Sequence, residues 1–133
     1  MSEASVRWVG GKQFIGIDST KHSVVLSTKD EGVGMKPSEL LLVALASCTA
    51  VDVVEILEKK RTPIEFLEIK VQGEQDQDPP WAFRKIHLTY VLKGEKLNEK
   101  NVEQAIALSE EKYCSVAATV RGVAEITTSY EIL

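Results

Sequence analysis

The chain has 133 residues, a formal net charge of −4, 44% hydrophobic and 27% charged residues. One domain over residues 1–133 is expected, since a domain typically has about 100–150 residues, and enough apolar mass is present to exclude intrinsic disorder. The acidic balance argues against nucleic acid, which demands clustered positive charge, and against an anionic membrane surface.

The first third reads as short strands. Ser5–Val9 alternates polar and apolar residues, Gly10-Gly11-Lys12 is a turn, and Gln13–Ile17 is a second run. After the polar turn Asp18–Lys21, Ser23–Ser27 completes an expected three-stranded meander. Thr28–Lys36 reads as a loop. Pro37 then opens a long helix, because proline has no N–H to leave unpaired in the first turn. Glu39 near its start and Lys59, Lys60 and Arg61 at its end complement the helix dipole. Leu40–Val54 is apolar on nearly every side, so this helix should be enclosed by sheet or by another chain. Its uninterrupted apolar run, Leu40–Ala46, is too short for a span of about twenty residues. Met1–Trp8 carries no basic stretch followed by an apolar one. A cytoplasmic protein without a membrane partner is therefore expected.

Thr62-Pro63 stops the helix. Ile64–Val71 reads as a strand with Ile64, Phe66, Ile69 and Val71 facing inward, and the acidic run Glu74–Asp78 as a solvated turn. Phe83–Leu92 alternates more clearly, with Ile86, Leu88, Tyr90 and Leu92 on one face. Asn98 suits the N-cap of a second helix carrying Val102, Ala105, Ile106, Leu108 and Ser109 at helical spacing and reaching Cys114. Ala117–Val120 reads as a further turn, Gly122 breaks it, and Val123–Ile132 is a last strand. The order βββ-α-ββ-α-β does not alternate regularly. It indicates an α+β protein with two helices on a largely antiparallel sheet.

Two cysteines, Cys48 and Cys114, exclude a disulfide-dense scaffold and a four-thiolate metal centre. His22 and His87 lack the close ligand spacing of a zinc site, so neither metal nor cofactor is expected. Both histidines, and Trp8 and Trp81, read as surface or packing residues. The cysteines are 66 positions apart, and spacing alone leaves them either as inert buried thiols or as a redox pair.

The stretch Lys36–Val54, with Pro37 eleven residues before Cys48 and Ala46-Ser47 just ahead of it, resembles the signature helix of the OsmC/Ohr family. Ser109–Ala117 resembles that family's second cysteine site. Cys-x-x-x-Asp-Val-Val and Glu-Lys-Tyr-Cys-Ser-Val-Ala resemble its YhfA-like branch most. The order of elements is similar along the whole chain. The resemblance implies an OsmC-like fold, in which sheet is wrapped round a central apolar helix in an intertwined homodimer with active sites at the interface. It also implies a thiol peroxidase for alkyl or fatty-acid hydroperoxides. Cys48 would be the peroxidatic and Cys114 the resolving thiol, with an external dithiol as reductant. The family's supporting arginine and glutamate have Arg7 or Lys12 and Glu39 as their nearest counterparts here. A different class of function on the same fold is a non-catalytic, stress-associated or ligand-binding dimer with inert or sensing cysteines.

Asp52 lies one helical turn beyond Cys48 on the same face. A carboxylate there is expected to raise the Cys48 pKa. Cys48, in mid-helix, is expected to gain nothing from a helix N-terminus.

Overall fold

A computed structural model describes residues 1–133. The chain forms two compact units, Met1–Leu41 and Leu42–Leu133. The first holds strands β1 (Ala4–Trp8), β2 (Gln13–Asp18) and β3 (Ser23–Ser27) in an antiparallel meander of that order. Gly10 and Gly11 make the first turn because both take positive φ, 111° and 52°, which side chains disfavour. The Trp8 indole N–H closes the turn on the Gly11 carbonyl at 2.7 Å. The second turn is held by Asp18, whose carboxylate accepts from the Thr20 hydroxyl and the backbone N–H groups of Thr20 and His22. These bonds hold its carboxyl below the usual range.

Helix α1 runs Pro37–Lys59. Lys36 and Glu39 pair at 3.4 Å at its start. Its end is a Schellman turn: Arg61 takes φ +60°, the Arg61 N–H donates to the Glu58 carbonyl, and the Thr62 N–H to the Leu57 carbonyl. Thr62-Pro63 thus stops the helix as expected.

The second unit contains a sheet of β4 (Phe66–Gln75), β5 (Phe83–Lys93) and β6 (Glu125–Ile132), in that order. β4 and β5 are antiparallel, whereas β5 and β6 are parallel with Tyr90 opposite Tyr130. The fold is therefore mixed α+β and largely antiparallel, as the element order indicated, with its strands in two small sheets. Leu45, Val53 and Leu57 of α1 and Ile86, Leu88, Tyr90 and Leu92 of β5 form the core of this unit, together with Val102, Ala105 and Ile106.

Four expectations need correction. β4 extends past Val71 to Gln75 through a bulge at Glu74/Gln75, so Glu74 belongs to a strand rather than to a solvated turn. Leu67, Ile69 and Val71 pack on the core while Phe66 is exposed, because the true alternation starts one residue later. The second helix does not continue to Cys114. α2 (Glu99–Leu108), capped by the Asn98 side chain on the Asn101 N–H, gives way to a π-turn over Ser109–Tyr113 and then to α3 (Ser115–Val120). Leu108 is consequently exposed and Ser109 fully buried.

α1 is apolar enough in length and composition to cross a membrane. Within its unit it buries a single stripe, Leu45, Thr49, Val53 and Leu57, at the i, i+4 spacing of one helix face. Leu41, Val43 and Val51 are left exposed.

Candidate active site

Cys114 is the hinge between the π-turn and α3. Its φ/ψ of −77°/105° is extended, so it is the N-cap of α3. Its thiol takes the place of a capping oxygen, accepting the Ala117 N–H at 3.3 Å. The first N–H groups of a helix have no partner within it. At α3 the two before that of Ala117, from Ser115 and Val116, favour the thiolate of Cys48, as do the Ser115 hydroxyl and the Cys114 thiol.

The fold thus brings Cys48 and Cys114 within each other's influence and gives them opposite characters. Burial works against ionisation of Cys48, but the donors from Cys114, Val116 and Ser115 outweigh it and lower its pKa. Burial pushes Cys114 up to about 11, helped by its bond to Cys48 and by the negative field of Asp52. Cys48 is therefore the more readily ionised of the two thiols, and Cys114 holds its proton. This corrects the expectation that a mid-helix Cys48 gains nothing from a helix N-terminus. It gains from α3, whose start tertiary packing brings to the thiol.

Asp52 does not act as spacing suggested. Its carboxylate accepts the Ser109 hydroxyl at 2.8 Å, and its charge bears on Cys114. It lines a cavity of about 380 Å³ with Glu55, Lys59, Lys60 and Tyr113. The Ser109 oxygen also lies 2.8 Å from the Thr49 hydroxyl, which lies 2.8 Å from the Tyr90 hydroxyl. Ser109 has one hydroxyl proton and a carboxylate can only accept. The chain is therefore ordered: Tyr90 donates to Thr49, Thr49 to Ser109, and Ser109 to Asp52. Tyr90, Thr49 and Ser109 are at most 1% exposed. Burial raises the Tyr90 phenol far above its usual value and keeps it a donor.

Thr49, Tyr90, Ser109, Ser115 and Val116 were not singled out as site residues from sequence. The signal available was Thr49 and Ser109, hydroxyls inside apolar stripes, since buried polar groups need partners.

Arg7, Lys12 and Glu39 lie in the N-terminal unit. Arg7 is exposed on β1, opposite Ile15. Lys12 sits in the β1–β2 turn, with its N–H on the Glu31 carboxylate at 3.0 Å. Bonds from Gln13 and Lys12 hold Glu31 below the usual carboxylate range. Glu39 is paired with Lys36. His22 is exposed. His87 is half-buried and bonds the Thr127 and Ser129 hydroxyls of β6 at 2.6 and 2.8 Å. Trp8 and Trp81 are exposed.

Three comparisons bear on this arrangement. The family model for OsmC-like protein matches residues 28–129. The chain is similar to Protein YhfA of Escherichia coli K12, with 35% identity over 131 residues and 98% of each chain covered. It is also similar in structure to a hypothetical protein from Aquifex aeolicus VF5, with a TM-score of 0.90, 34% identity, and coverage of 100% of this chain and 96% of that one. A more distant likeness, to the organic hydroperoxide resistance protein OhrB of Bacillus subtilis, has a TM-score of 0.65, 16% identity and 98% of each chain covered, and speaks to the fold alone. With the two cysteine motifs paired in space and the family model spanning most of the sequence, the chain belongs to the OsmC-like family.

Proposed function

We propose that this protein is a thiol-dependent peroxidase that reduces organic hydroperoxides in oxidative stress defence. The observation that carries the reading is the asymmetric pair: the polar groups around Cys48 lower its pKa, while burial and the neighbouring Cys48 raise that of Cys114. Membership of the OsmC-like family supports it, as does the likeness in fold to a protein named for organic hydroperoxide resistance.

In this reading the Cys48 thiolate attacks the outer oxygen of an alkyl or fatty-acid hydroperoxide. The O–O bond breaks, an alcohol leaves with a proton, and Cys48 becomes a sulfenic acid. Cys114, once deprotonated, attacks the Cys48 sulfur, and the hydroxide lost from it leaves as water. A dithiol restores both thiols by exchange. Arg7, Lys12 and Glu39 are the charges we assign to support the reaction in a cytoplasmic homodimer, where the exposed Leu41, Val43 and Val51 of α1 would face a second copy.

Thiol titration after one equivalent of an alkyl hydroperoxide tests the chemistry. Both thiols should disappear within minutes. Cys48→Ser should stay unreacted, and Cys114→Ser should stop at a sulfenic acid that a dimedone probe captures. Thiols that stay reduced while a small-molecule thiol control is consumed would remove the peroxidase reading and leave a binding or sensing dimer.

A further inference from the structure

We propose that the hydroxyl chain Tyr90–Thr49–Ser109–Asp52 is a latch that holds Cys114 at the Cys48 sulfur, making disulfide closure depend on residues outside the thiol pair. The inference rests on reading Cys48 and Cys114 as a redox pair.

Ser109 links the segments of both cysteines through different atoms. Its carbonyl accepts the Cys114 N–H at 2.8 Å, closing the π-turn. Its hydroxyl binds Thr49, the residue after Cys48, and Asp52, one helical turn further. Two hydrogen bonds therefore connect the backbone of one cysteine to the neighbour of the other. Within the π-turn Ser109 is the one buried residue. Glu111, Lys112 and Tyr113 are exposed, and Glu110 is half-buried. Upstream of Cys114, then, the turn is anchored inward at its first residue, Ser109, while the Arg121 guanidinium holds the Glu110 carbonyl at 2.7 Å on its exposed side. A π-turn carries one residue more than an α-turn and is a common site of functional adjustment, so an anchor here decides where the thiol sits.

The chemistry of the chain favours positioning over filling. An apolar set of similar shape would pack the same space without desolvating three hydroxyls. Hydroxyls instead impose direction and length. Asp52 orients Ser109, Ser109 orients Thr49, and Tyr90 ties the end to β5 in the core. With Ser109 and Thr49 both buried, water is kept from replacing a lost partner.

Closure is measured with diamide, an azo oxidant that takes two electrons and two protons from the thiol pair as the disulfide forms. It needs no hydroperoxide, so it reads the latch separately from the peroxidase chemistry. Ser109→Ala and Thr49→Val should each slow closure about tenfold or more, the order of loss that small misplacement of a reacting group produces. Ser109→Thr, which keeps the hydroxyl, should restore most of the rate. The same substitutions placed in a Cys114→Ser background should leave the pH midpoint of Cys48 alkylation where it is in that background alone. Tyr90→Phe, with thermal unfolding recorded for every variant, covers the case in which Ser109→Ala fails to fold. Wild-type closure rates in folded Ser109→Ala and Thr49→Val would overturn the latch, and so would a parallel loss of Cys48 alkylation. If hydroperoxide leaves wild-type thiols reduced while diamide closure still depends on Ser109, the peroxidase reading falls and the latch stands.

Discussion

Cys48 illustrates how a thiol is tuned by groups that its own helix does not supply. Two of these groups are the backbone N–H groups of Ser115 and Val116, which side-chain deletion leaves in place. Ser115→Pro removes one of them together with the Ser115 hydroxyl. Proline is tolerated at the first position of a helix, and Cys114 already has the extended conformation that a residue before proline requires. This substitution should keep α3, raise the pH midpoint of Cys48 alkylation, and slow alkylation at neutral pH several-fold. Alkylation rate against pH, in a Cys114→Ser background, checks it. An unchanged midpoint would mean that the start of α3 does not set the thiolate. Cys114 shows the opposite case: an N-cap sulfur is held neutral by burial and by the charge of Asp52.

At the level of elements, α1 and the α2–α3 segment matter most. α1 begins on proline and ends on a left-handed Arg61, where glycine is the usual residue. A side chain in this conformation costs about 1–2 kcal/mol. Arg61→Gly should therefore raise unfolding free energy by about 1 kcal/mol without altering thiol reactivity, read by denaturant melts and alkylation together. The π-turn has a different logic. By spending five residues, Ser109–Tyr113, ahead of Cys114, it ends α2 with Ser109 inward and starts α3 with Cys114 as its cap. A continuous helix would leave no free N–H groups near Cys48.

For the whole molecule, the exposed apolar residues of α1 and the two thiols set the expected behaviour in solution. Leu41, Val43 and Val51 on one long helix make an apolar surface of the kind that marks an interface. Val51→Glu should shift the chain from dimer to monomer in sedimentation equilibrium. A wild-type monomer at the same concentration would remove the dimer from the proposal. Stability should also fall on the alkaline side. Cys114 keeps its proton in the folded state up to about 11, against 9.0 for an ordinary thiol. Its contribution is complete below 9.0 and is lost as pH rises through about 11. The buried Tyr90 acts in the same direction. Cys48, shifted downward, acts in the opposite sense, its contribution being lost as pH falls through its folded value. Denaturant midpoints should drop between pH 9 and 11 in the wild type and drop less in Cys114→Ser.

Much of the fold was legible because it depends on local periodicity and turn chemistry. The glycine turn of the meander, the Pro37 start, the Asn98 cap and the alternation Ile86-Leu88-Tyr90-Leu92 are each written within a few residues. The motifs around Cys48 and Cys114 likewise pointed to the family. The reading failed where a partner distant in sequence decided the outcome. Helical spacing could not show that the segment after Leu108 slips into a π-turn. The i, i+4 placement of Asp52 could not show that its carboxylate is taken up by Ser109, 57 positions away. Sequence by itself determined which residues are thiols, hydroxyls and core formers, because these are properties of side chains and of short-range pattern. Only the tertiary structure decided which thiol is shifted down and which up. That depends on where the unpaired N–H groups of α3 come to lie, and packing alone brings them to Cys48.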